Sequence, residues 1–395
     1  MDPMIRIWGI ALTAASMLFC AQHSLANSRD QAQRIHNRLA GVPADAATLT
    51  EMASLIDINN AHAAAELAME HPAFYSVTLK QFATPWTNEA QDVFADLNDY
   101  TATVIGAIRD DVDFRRILFA DLLYVGNASP AAAADSNAHY RNLEASHANL
   151  KAVLQPSSQT SQYGTPAQAV AGVLTTRAAA NAFFYAGTNR AMLRFTLMNH
   201  MCRDLEQVKD TTRPSDRVRQ DVSRSPGGDS RIFRNSCVGC HSGMDPLAQA
   251  FAYYDWEGDQ EGDGGRMVYN TGTDPDTGTR VQGKYLINSN NFPWGYITPN
   301  DRWDNYWREG PNANLGWDST LAGSGNGAAS LGEELANSEV FASCQAEKVF
   351  QAVCLRKPAD SADTSQLATM TSAFKNDNYR MKTLFADAAT YCMGD

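Results

Sequence analysis

Five consecutive residues, Cys237-Val-Gly-Cys-His241, set the strongest requirement on how this chain folds and what it binds. Two thiols three positions apart, followed at once by a histidine, are typical of a c-type haem attachment site. Each thiol adds to one vinyl group of the porphyrin, and the adjacent imidazole then lies under the iron as its proximal ligand. The sequence therefore predicts one covalent haem c, held by Cys237, Cys240 and His241.

The same two cysteines have two other interpretations, a redox dithiol and half of a zinc site. A thioredoxin-like dithiol is expected beside a βαβ pattern, which is missing around this motif. A structural zinc ion needs four ligands. No second pair of cysteine or histidine residues stands at metal-ligand spacing in the sequence. Haem is therefore the preferred interpretation.

Residues 1–26 predict a secretory signal peptide, because Arg6 precedes an apolar stretch at 7–21 and Ser24-Leu-Ala26 offers a small-x-small cleavage site. An uncleaved anchor is the alternative, but the stretch is short for a membrane-spanning helix. No later stretch is long and apolar enough to cross a bilayer. We therefore expect a mature chain from about Asn27 with no stable membrane span, located in the periplasm, outside the cell or on the surface of a bacterium.

Export changes how the seven cysteines are interpreted, because oxidising compartments allow thiols to pair. Removal of Cys20 with the signal peptide and use of two cysteines for haem leave Cys202, Cys344, Cys354 and Cys392. These four allow three disulfide connectivities. We favour Cys354 with Cys392, which joins the last two helical segments, and Cys202 with Cys344.

The charge of the chain restricts its partners. A net charge of −12 at pH 7 makes nucleic acid and anionic membrane surfaces unfavourable partners. A redox protein that carries a basic patch is better matched to this charge.

The hydrophobic pattern predicts a mostly α fold: a multi-helix body with a haem segment, a small β-hairpin and an irregular aromatic loop at 292–318. Helical spacing of apolar residues stands out at 47–56, 61–70 and 101–113. The haem motif is expected to open a helix that runs to Tyr254. Residues 266–270 and 280–287 are predicted to pair as a hairpin joined at 274–278. The suggested division is 27–125, an N-terminal helical domain; 126–229, a middle helical segment and loop; and 230–395, a haem-binding and C-terminal helical domain.

The sixth iron ligand decides between electron transfer and reaction with a small molecule, because a methionine or histidine closes the iron whereas an open site binds oxygen or peroxide. Spacing does not identify this ligand. The distal candidates are Met267, Met370, Met381, Met393, His139, His147 and His200. Four aromatic residues after the motif are candidates either for porphyrin contacts or for core packing: Phe251, Tyr253, Tyr254 and Trp256.

An acidic turn at 259–270 partly matches a calcium loop of the D-x-[DN]-x-[DN]-G type. The bidentate glutamate that closes such a loop is replaced by Asn270. An ordinary acidic turn is therefore the preferred interpretation.

Several short segments stand in a recognisable order around the haem motif: Arg38-Leu-Ala-Gly-Val-Pro43, 110–125, Gly172-Val-Leu-Thr-Thr-Arg177, Asn189-Arg190, Met201-Cys202, Asp245-Pro-Leu247, Ala250-Phe251, Tyr254-Asp255 and 331–344. This order resembles the planctomycete-type cytochrome c domain proteins, large secreted bacterial proteins of largely unassigned function. The resemblance implies covalent haem at Cys237 and Cys240 with His241 as axial ligand. Those relatives often have a histidine shortly before the haem motif, whereas 222–236 has none here, so no sixth ligand is carried over.

The sequence thus predicts an exported mono-haem c-type cytochrome that passes single electrons to or from a redox partner. No nucleophile elbow, zincin motif or P-loop is present, which favours an electron carrier over a stand-alone enzyme. Two alternatives stay open. One is a haem peroxidase or oxygenase with an open distal site among the aromatic residues at 292–317, and the other is a binding module in which haem is structural.

Overall fold

The computed structural model describes residues 27–260 and 264–394. The predicted signal peptide at 1–26 lies outside the described residues, and so do residues 261–263 of the acidic turn. The described chain is mostly α-helical, as predicted. Its α-helices are α1 (Ser28–Ala40), α2 (Ala46–Asp57), α3 (Ala61–Met69), α4 (Lys80–Ala83), α5 (Asp99–Arg109), α6 (Ala138–Ala145), α7 (Leu150–Val153), α8 (Gln159–Tyr163), α9 (Arg177–Phe183), α10 (Arg190–Met201), α11 (Ser230–Ile232), α12 (Val238–Ala248), α13 (Gly327–Ala336), α14 (Glu339–Cys354), α15 (Ser361–Asn376) and α16 (Met381–Tyr391).

The strands of the described chain form small antiparallel sheets of two strands each. In the sheet that follows the haem motif, Tyr254 stands opposite Tyr269 and Glu257 opposite Arg266. The three pairs are β1 (Leu123–Val125) with β2 (Gln155–Ser157), β3 (Tyr254–Glu257) with β4 (Arg266–Tyr269), and β5 (Arg302–Asp304) with β6 (Ser324–Asn326).

The three predicted N-terminal helices are confirmed as α2, α3 and α5. Each begins where a polar side chain accepts a hydrogen bond from a free backbone N–H of the first turn. Asp45 accepts from the Thr48 N–H, Asn60 from the Ala63 N–H and Asn98 from the Thr101 N–H. Apolar spacing and capping residues are both local signals, which explains why the sequence alone locates these helices.

The N-terminal and C-terminal helices share one hydrophobic core. Helices α1, α2 and α3 pack on one another, and both α1 and α3 pack on α16, which also contacts α14 and α15. The same cluster of buried side chains includes Ile35 in α1, Leu193 in α10 and Leu384 in α16. The core therefore crosses the suggested boundaries at 125 and 229, and the three-part division stays a prediction.

Two disulfides link helices of the described chain, in the connectivity that the sequence favoured. Cys202, directly after α10, pairs with Cys344 in α14, and Cys354, at the end of α14, pairs with Cys392 after α16. The Cα atoms are 5.3 Å and 5.5 Å apart, within the usual range for a disulfide. Helix α14 is thus linked covalently to both α10 and α16.

The predicted strand at 280–287 is wrong. The other half of the predicted hairpin does form a strand, β4, but it pairs with β3. Residues Gly283–Leu286 form a 3₁₀ turn instead. The cause is the Asp274 carboxylate, which accepts hydrogen bonds from the backbone N–H groups of Asp276, Thr277 and Gly283 and so folds the connecting segment back on itself.

The helix that begins at the haem motif is shorter than predicted, because α12 ends at Ala248 and Tyr254 begins β3. Pro246 lies in its last turn, where proline supplies no N–H for a helical hydrogen bond. The Asn189 side chain then donates to the carbonyls of Phe251 and Tyr254, at 2.6 Å and 2.8 Å. The carbonyl oxygens of Phe251 and Tyr254 thus have hydrogen-bond partners without forming helical hydrogen bonds. The chain can therefore leave helical geometry at this point.

Candidate functional site

The haem motif lies within a continuous helical stretch. Helix α11 is followed by a π-helical turn, Phe233–Cys237, and then by α12 from Val238. On a helix, residues three and four positions apart share a face. Cys237, Cys240 and His241 stand in this relation, so both thiols and the imidazole are on one side of α12.

The two motif thiols are unpaired and partly exposed, whereas the other four cysteines of the described chain form disulfides. The Cys240 Sγ lies 3.7 Å from the Leu205 carbonyl oxygen, to which its S–H points. Partial burial raises the pKa of the Cys240 thiol, and the nearby Glu206 carboxylate raises it further. Cys240 therefore carries its proton at neutral pH.

The segment just after α10 packs closely against the motif. The Asp210 N–H donates to the Gly239 carbonyl at 2.9 Å. A Cβ at position 239 would lie 3.3 Å from the Thr211 methyl carbon, a contact that a small shift of the threonine side chain would relieve. The thiols are consequently held on a helix that another segment supports from the side.

The His241 ring is anchored through one nitrogen. Its Nδ1 lies 3.2 Å and 3.3 Å from the two carboxylate oxygens of Asp245, one helical turn further along α12. An ionised carboxylate only accepts hydrogen bonds, so Nδ1 carries the proton and Nε2 presents its lone pair. The side chain is 18% exposed, and no described residue forms a hydrogen bond with Nε2. Nε2 is the atom through which His241 could bind a metal.

Asp245 belongs to a row of buried ion pairs. Arg190, the first residue of α10, holds the carboxylate through Nε and Nη2 at 2.7 Å and 2.9 Å. The same guanidinium donates to Asp221 at 2.5 Å and 3.1 Å. Arg219 Nε lies 3.4 Å from Asp221 and completes the row. From the end beside His241, the row runs Asp245, Arg190, Asp221, Arg219, so negative and positive charges alternate. The two negative charges balance the two positive ones.

The pKa of Asp245 reflects two opposing effects. Complete burial alone would raise it, but the charges of Arg190 and Arg219 and the hydrogen bond from His241 hold the pKa well below its usual range. Asp245 is therefore a carboxylate anion at any physiological pH. This ionisation state is the one that keeps the proton on His241 Nδ1.

The side of α12 away from His241 is covered by an aromatic residue. A Cβ at Gly243 would lie 1.9 Å from Nε1 of the fully buried Trp307. Gly243 is two positions after His241, and such residues point in roughly opposite directions from a helix axis. Trp307, part of the predicted aromatic segment, therefore supports the back of the motif helix.

Replacing Gly243 by Ala is expected to lower the free energy of unfolding by about 1–3 kcal/mol, because the new methyl group forces Trp307 to move. Gly239→Ala is the matched control on the same helix, since its Cβ meets its nearest neighbour only at 3.3 Å. Urea denaturation, monitored by tryptophan fluorescence, measures the unfolding free energies of both variants. Equal stabilities for the two variants would show that Trp307 does not pack on Gly243.

His200 and Met267, the two candidates preferred from the sequence as distal ligands, have other contacts in the structure. His200 is fully buried, with Nε2 2.7 Å from the Tyr100 hydroxyl and its ring against Trp86. Met267 stands opposite Trp256 in the β3–β4 sheet and lines a cavity of about 250 Å³. None of the hydrogen bonds, ion pairs or ring contacts of the described chain joins either residue to the motif. The sixth ligand stays a prediction.

The remaining distal candidates are spread over the fold. The His139 ring uses both nitrogens, which bond the Gly126 N–H and the Pro130 carbonyl. His147 is exposed. Among the methionines, Met370 and Met381 are buried in the core and Met393 is half-buried.

The aromatic residues after the motif are core residues. Phe184 stacks on Tyr254 and also contacts Phe251, and the Tyr254 hydroxyl donates to the Ala169 carbonyl. Trp256 receives the Arg177 guanidinium over its ring at 5.2 Å. Tyr253 packs with Val281 and Tyr285 in a small separate cluster. Their described contacts are those of core packing, which was one of the two interpretations.

The described residues contain no group of three or more histidine, cysteine or carboxylate side chains placed to hold a metal ion. Haem iron would need only one such side chain from the motif, His241. The calcium-loop alternative falls on 259–270, of which 261–263 lie outside the described residues. At its last position the Asn270 side chain donates to the Arg280 carbonyl and accepts from the Gly272 N–H.

The residues around the motif fit a covalently held haem. Two free, partly exposed thiols and one imidazole with an available Nε2 occupy a single helical face, which is the donor set that haem c requires. Comparison with protein-family models, curated proteins and solved structures finds no match to this chain. The function is therefore inferred from the motif residues and their contacts.

Sequence reasoning did not identify Arg190, Asp221 and Arg219 as part of the site. Asp245 could have been found, because its spacing of four from His241 on a predicted helix places it beside the imidazole. Asn189-Arg190 entered the sequence prediction only through the family resemblance. The other two residues lie in a polar loop whose pattern gives no sign of burial, yet Arg219 and Asp221 are both buried.

Proposed function

We propose that this chain is an exported mono-haem c-type cytochrome that transfers single electrons to or from a redox protein. One observation carries the proposal: the unpaired thiols of Cys237 and Cys240 and the Nδ1-anchored imidazole of His241 share one face of α12. A redox dithiol would not require this histidine. A c-type attachment site requires all three side chains.

Each residue of the motif has a defined task. Cys237 and Cys240 would hold the haem covalently, each through a thioether bond from its sulfur atom to one vinyl side chain. The Nε2 atom of His241 would bind the haem iron. Bound haem then supplies a one-electron iron couple. Asp245 holds the Nδ1 proton and thereby keeps Nε2 free for the iron.

Export is part of the proposal. Two disulfides suit an oxidising compartment, and the predicted signal peptide at 1–26 supplies a route to it. No helix in the described ranges has the length and apolar character needed to cross a membrane. The resemblance to planctomycete-type cytochrome c domain proteins is in keeping with this location, and the acidic chain suits a redox partner with a basic patch.

A redox titration followed by visible absorption tests the electron-transfer function. Protein produced in a host that attaches haem c should show a sharp low-spin α band on reduction and titrate as a single one-electron centre. Six-coordinate low-spin haem should respond little to carbon monoxide or peroxide. Rapid, saturable binding of carbon monoxide together with peroxide turnover would instead support the haem-enzyme alternative.

A further inference from the structure

The carboxylate of Asp245 contacts the candidate iron ligand directly and is itself held rigidly. Its side chain is completely buried, with Arg190 on one side and His241 Nδ1 on the other. Two hydrogen bonds from the Arg190 guanidinium fix both carboxylate oxygens. Bidentate arginine–carboxylate pairs of this kind have little freedom to rotate.

We propose that Asp245 is a positioning residue that sets the reduction potential of the iron through His241, with Arg190 and Asp221 holding its carboxylate in place. The inference rests on the proposed haem function. It goes beyond that function because it assigns the potential to a named network of this chain. The network joins α10, the loop before the motif and α12.

Orientation is the first effect of Asp245. Thioether bonds at Cys237 and Cys240 would fix where the porphyrin lies, but the imidazole could still rotate about its side-chain torsions. Asp245 removes this freedom because its oxygens lie 3.2 Å and 3.3 Å from Nδ1, on the same helix one turn away. Nε2, the ring nitrogen that Asp245 does not contact, is then held in one fixed direction. Partners of this kind usually orient histidine ligands of metals.

Electron donation is the second effect. A carboxylate that accepts the Nδ1 proton makes the imidazole a more basic ligand. A more basic ligand stabilises ferric over ferrous iron, which lowers the reduction potential. Because the Asp245 side chain is completely buried, water does not compete for this hydrogen bond. A neutral hydrogen-bond acceptor at the same position would make the imidazole less basic than the carboxylate does. The reduction potential of the iron would then rise.

A purely structural role is the competing explanation. Arg190 ties α10 to α12 through Asp245 and to the preceding loop through Asp221, and such buried pairs affect stability whether or not a metal is present. Asp221 provides the matched control. It is buried like Asp245, pairs with the same guanidinium and carries the same charge, but it has no contact with His241 among the described residues.

The test compares Asp245→Asn with Asp221→Asn in haem-loaded protein by potentiometric titration. Asp245→Asn should change the equilibrium constant for reduction at least tenfold toward the reduced state, a shift of 59 mV or more for one electron. Asp221→Asn should shift it in the same direction by less than half as much in millivolts. Equal shifts in the two variants, or none in Asp245→Asn, would overturn the proposal.

A measurement on the unmodified sequence covers the case in which Asp245→Asn does not fold. In ferrous, diamagnetic protein with ¹⁵N-labelled histidine, the His241 Nδ1 proton should resonate far downfield and exchange slowly with solvent. A fast-exchanging or absent Nδ1 proton would contradict the role of Asp245. If the unmodified chain takes up no haem, the proposed function itself fails; if haem is attached but both variants keep the same potential, only this inference fails.

Discussion

A chain carrying both Cys237→Ala and Cys240→Ala is expected to contain no covalent haem and to keep its fold. The two thiols are unpaired and partly exposed, so removing them breaks no disulfide and leaves no large cavity. Both sites of thioether formation are lost, however, so the loss of attached haem should be complete. Haem absorbance after denaturation in alkaline pyridine, together with intact mass, measures attachment, and far-UV circular dichroism measures the fold.

Cys354→Ala with Cys392→Ala is the matched control, since it also removes two sulfur atoms but from a disulfide between helix ends. This variant should be less stable than the unmodified chain and should keep one haem for every folded molecule. Covalent haem in the Cys237/Cys240 variant would refute the attachment site. Loss of haem from the folded control would show that attachment depends on something other than these two thiols.

Removing the Cys202–Cys344 disulfide is expected to lower the free energy of unfolding by about 4–5 kcal/mol. The two residues are 142 positions apart, so the crosslink restricts a long loop of the unfolded chain. The Cys354–Cys392 crosslink spans 38 positions, and the same chain-entropy relation gives a loss smaller by about 1 kcal/mol. Urea unfolding of the two double-alanine variants under one set of conditions measures the difference.

Which of the two variants loses more unfolding free energy shows how the disulfides stabilise the chain. A larger loss for the shorter loop would mean that the crosslinks act through native packing rather than through the unfolded chain. The longer crosslink is also close, along the chain, to a residue that contacts the motif, because Cys202, directly after α10, comes three residues before Leu205, whose carbonyl oxygen lies 3.7 Å from the Cys240 Sγ. Gln345 and Lys348 of α14 donate to the carbonyls of His200 and Asn199, which holds the same helix end by noncovalent bonds.

Features set by neighbouring residues could be predicted from the sequence. The attachment motif spans five positions, and the N-terminal helices are marked by apolar spacing and by the capping residues Asp45 and Asn98. Counting the cysteines left after the predicted export and haem attachment identified the four that form disulfides, and the observed pairing was the favoured one of three possible connectivities. In each case the information needed is contained in a few adjacent residues or in the number of one residue type.

The ion-pair row beside His241 could not be predicted, because it joins residues that are far apart in the sequence. Arg190 is 55 positions from Asp245 and 31 from Asp221. Charged residues are usually exposed, so neither the loop before the motif nor the start of α10 indicates burial. The packing of α10 on α12 brings Arg190 to Asp245, and the loop before the motif adds Asp221 to the same guanidinium.

The incorrect strand at 280–287 has a related cause. Its alternation of apolar and polar residues is compatible with a strand, and turn residues at 274–278 suggested a hairpin. Strand pairing also depends on which extended segment is available, and β3 occupies the edge of β4. The hydrogen bonds of the Asp274 side chain then favour a folded-back connection.

The central claim is that haem is covalently attached at Cys237 and Cys240. Its most direct test is the intact mass of the unmodified chain, produced in a host that attaches haem c and then extracted with acidified acetone. We expect one haem per chain, resistant to extraction and located by peptide mapping to the segment containing Cys237-Val-Gly-Cys-His241. A chain without haem, haem that acidified acetone removes, or haem attached to any other segment would contradict the account.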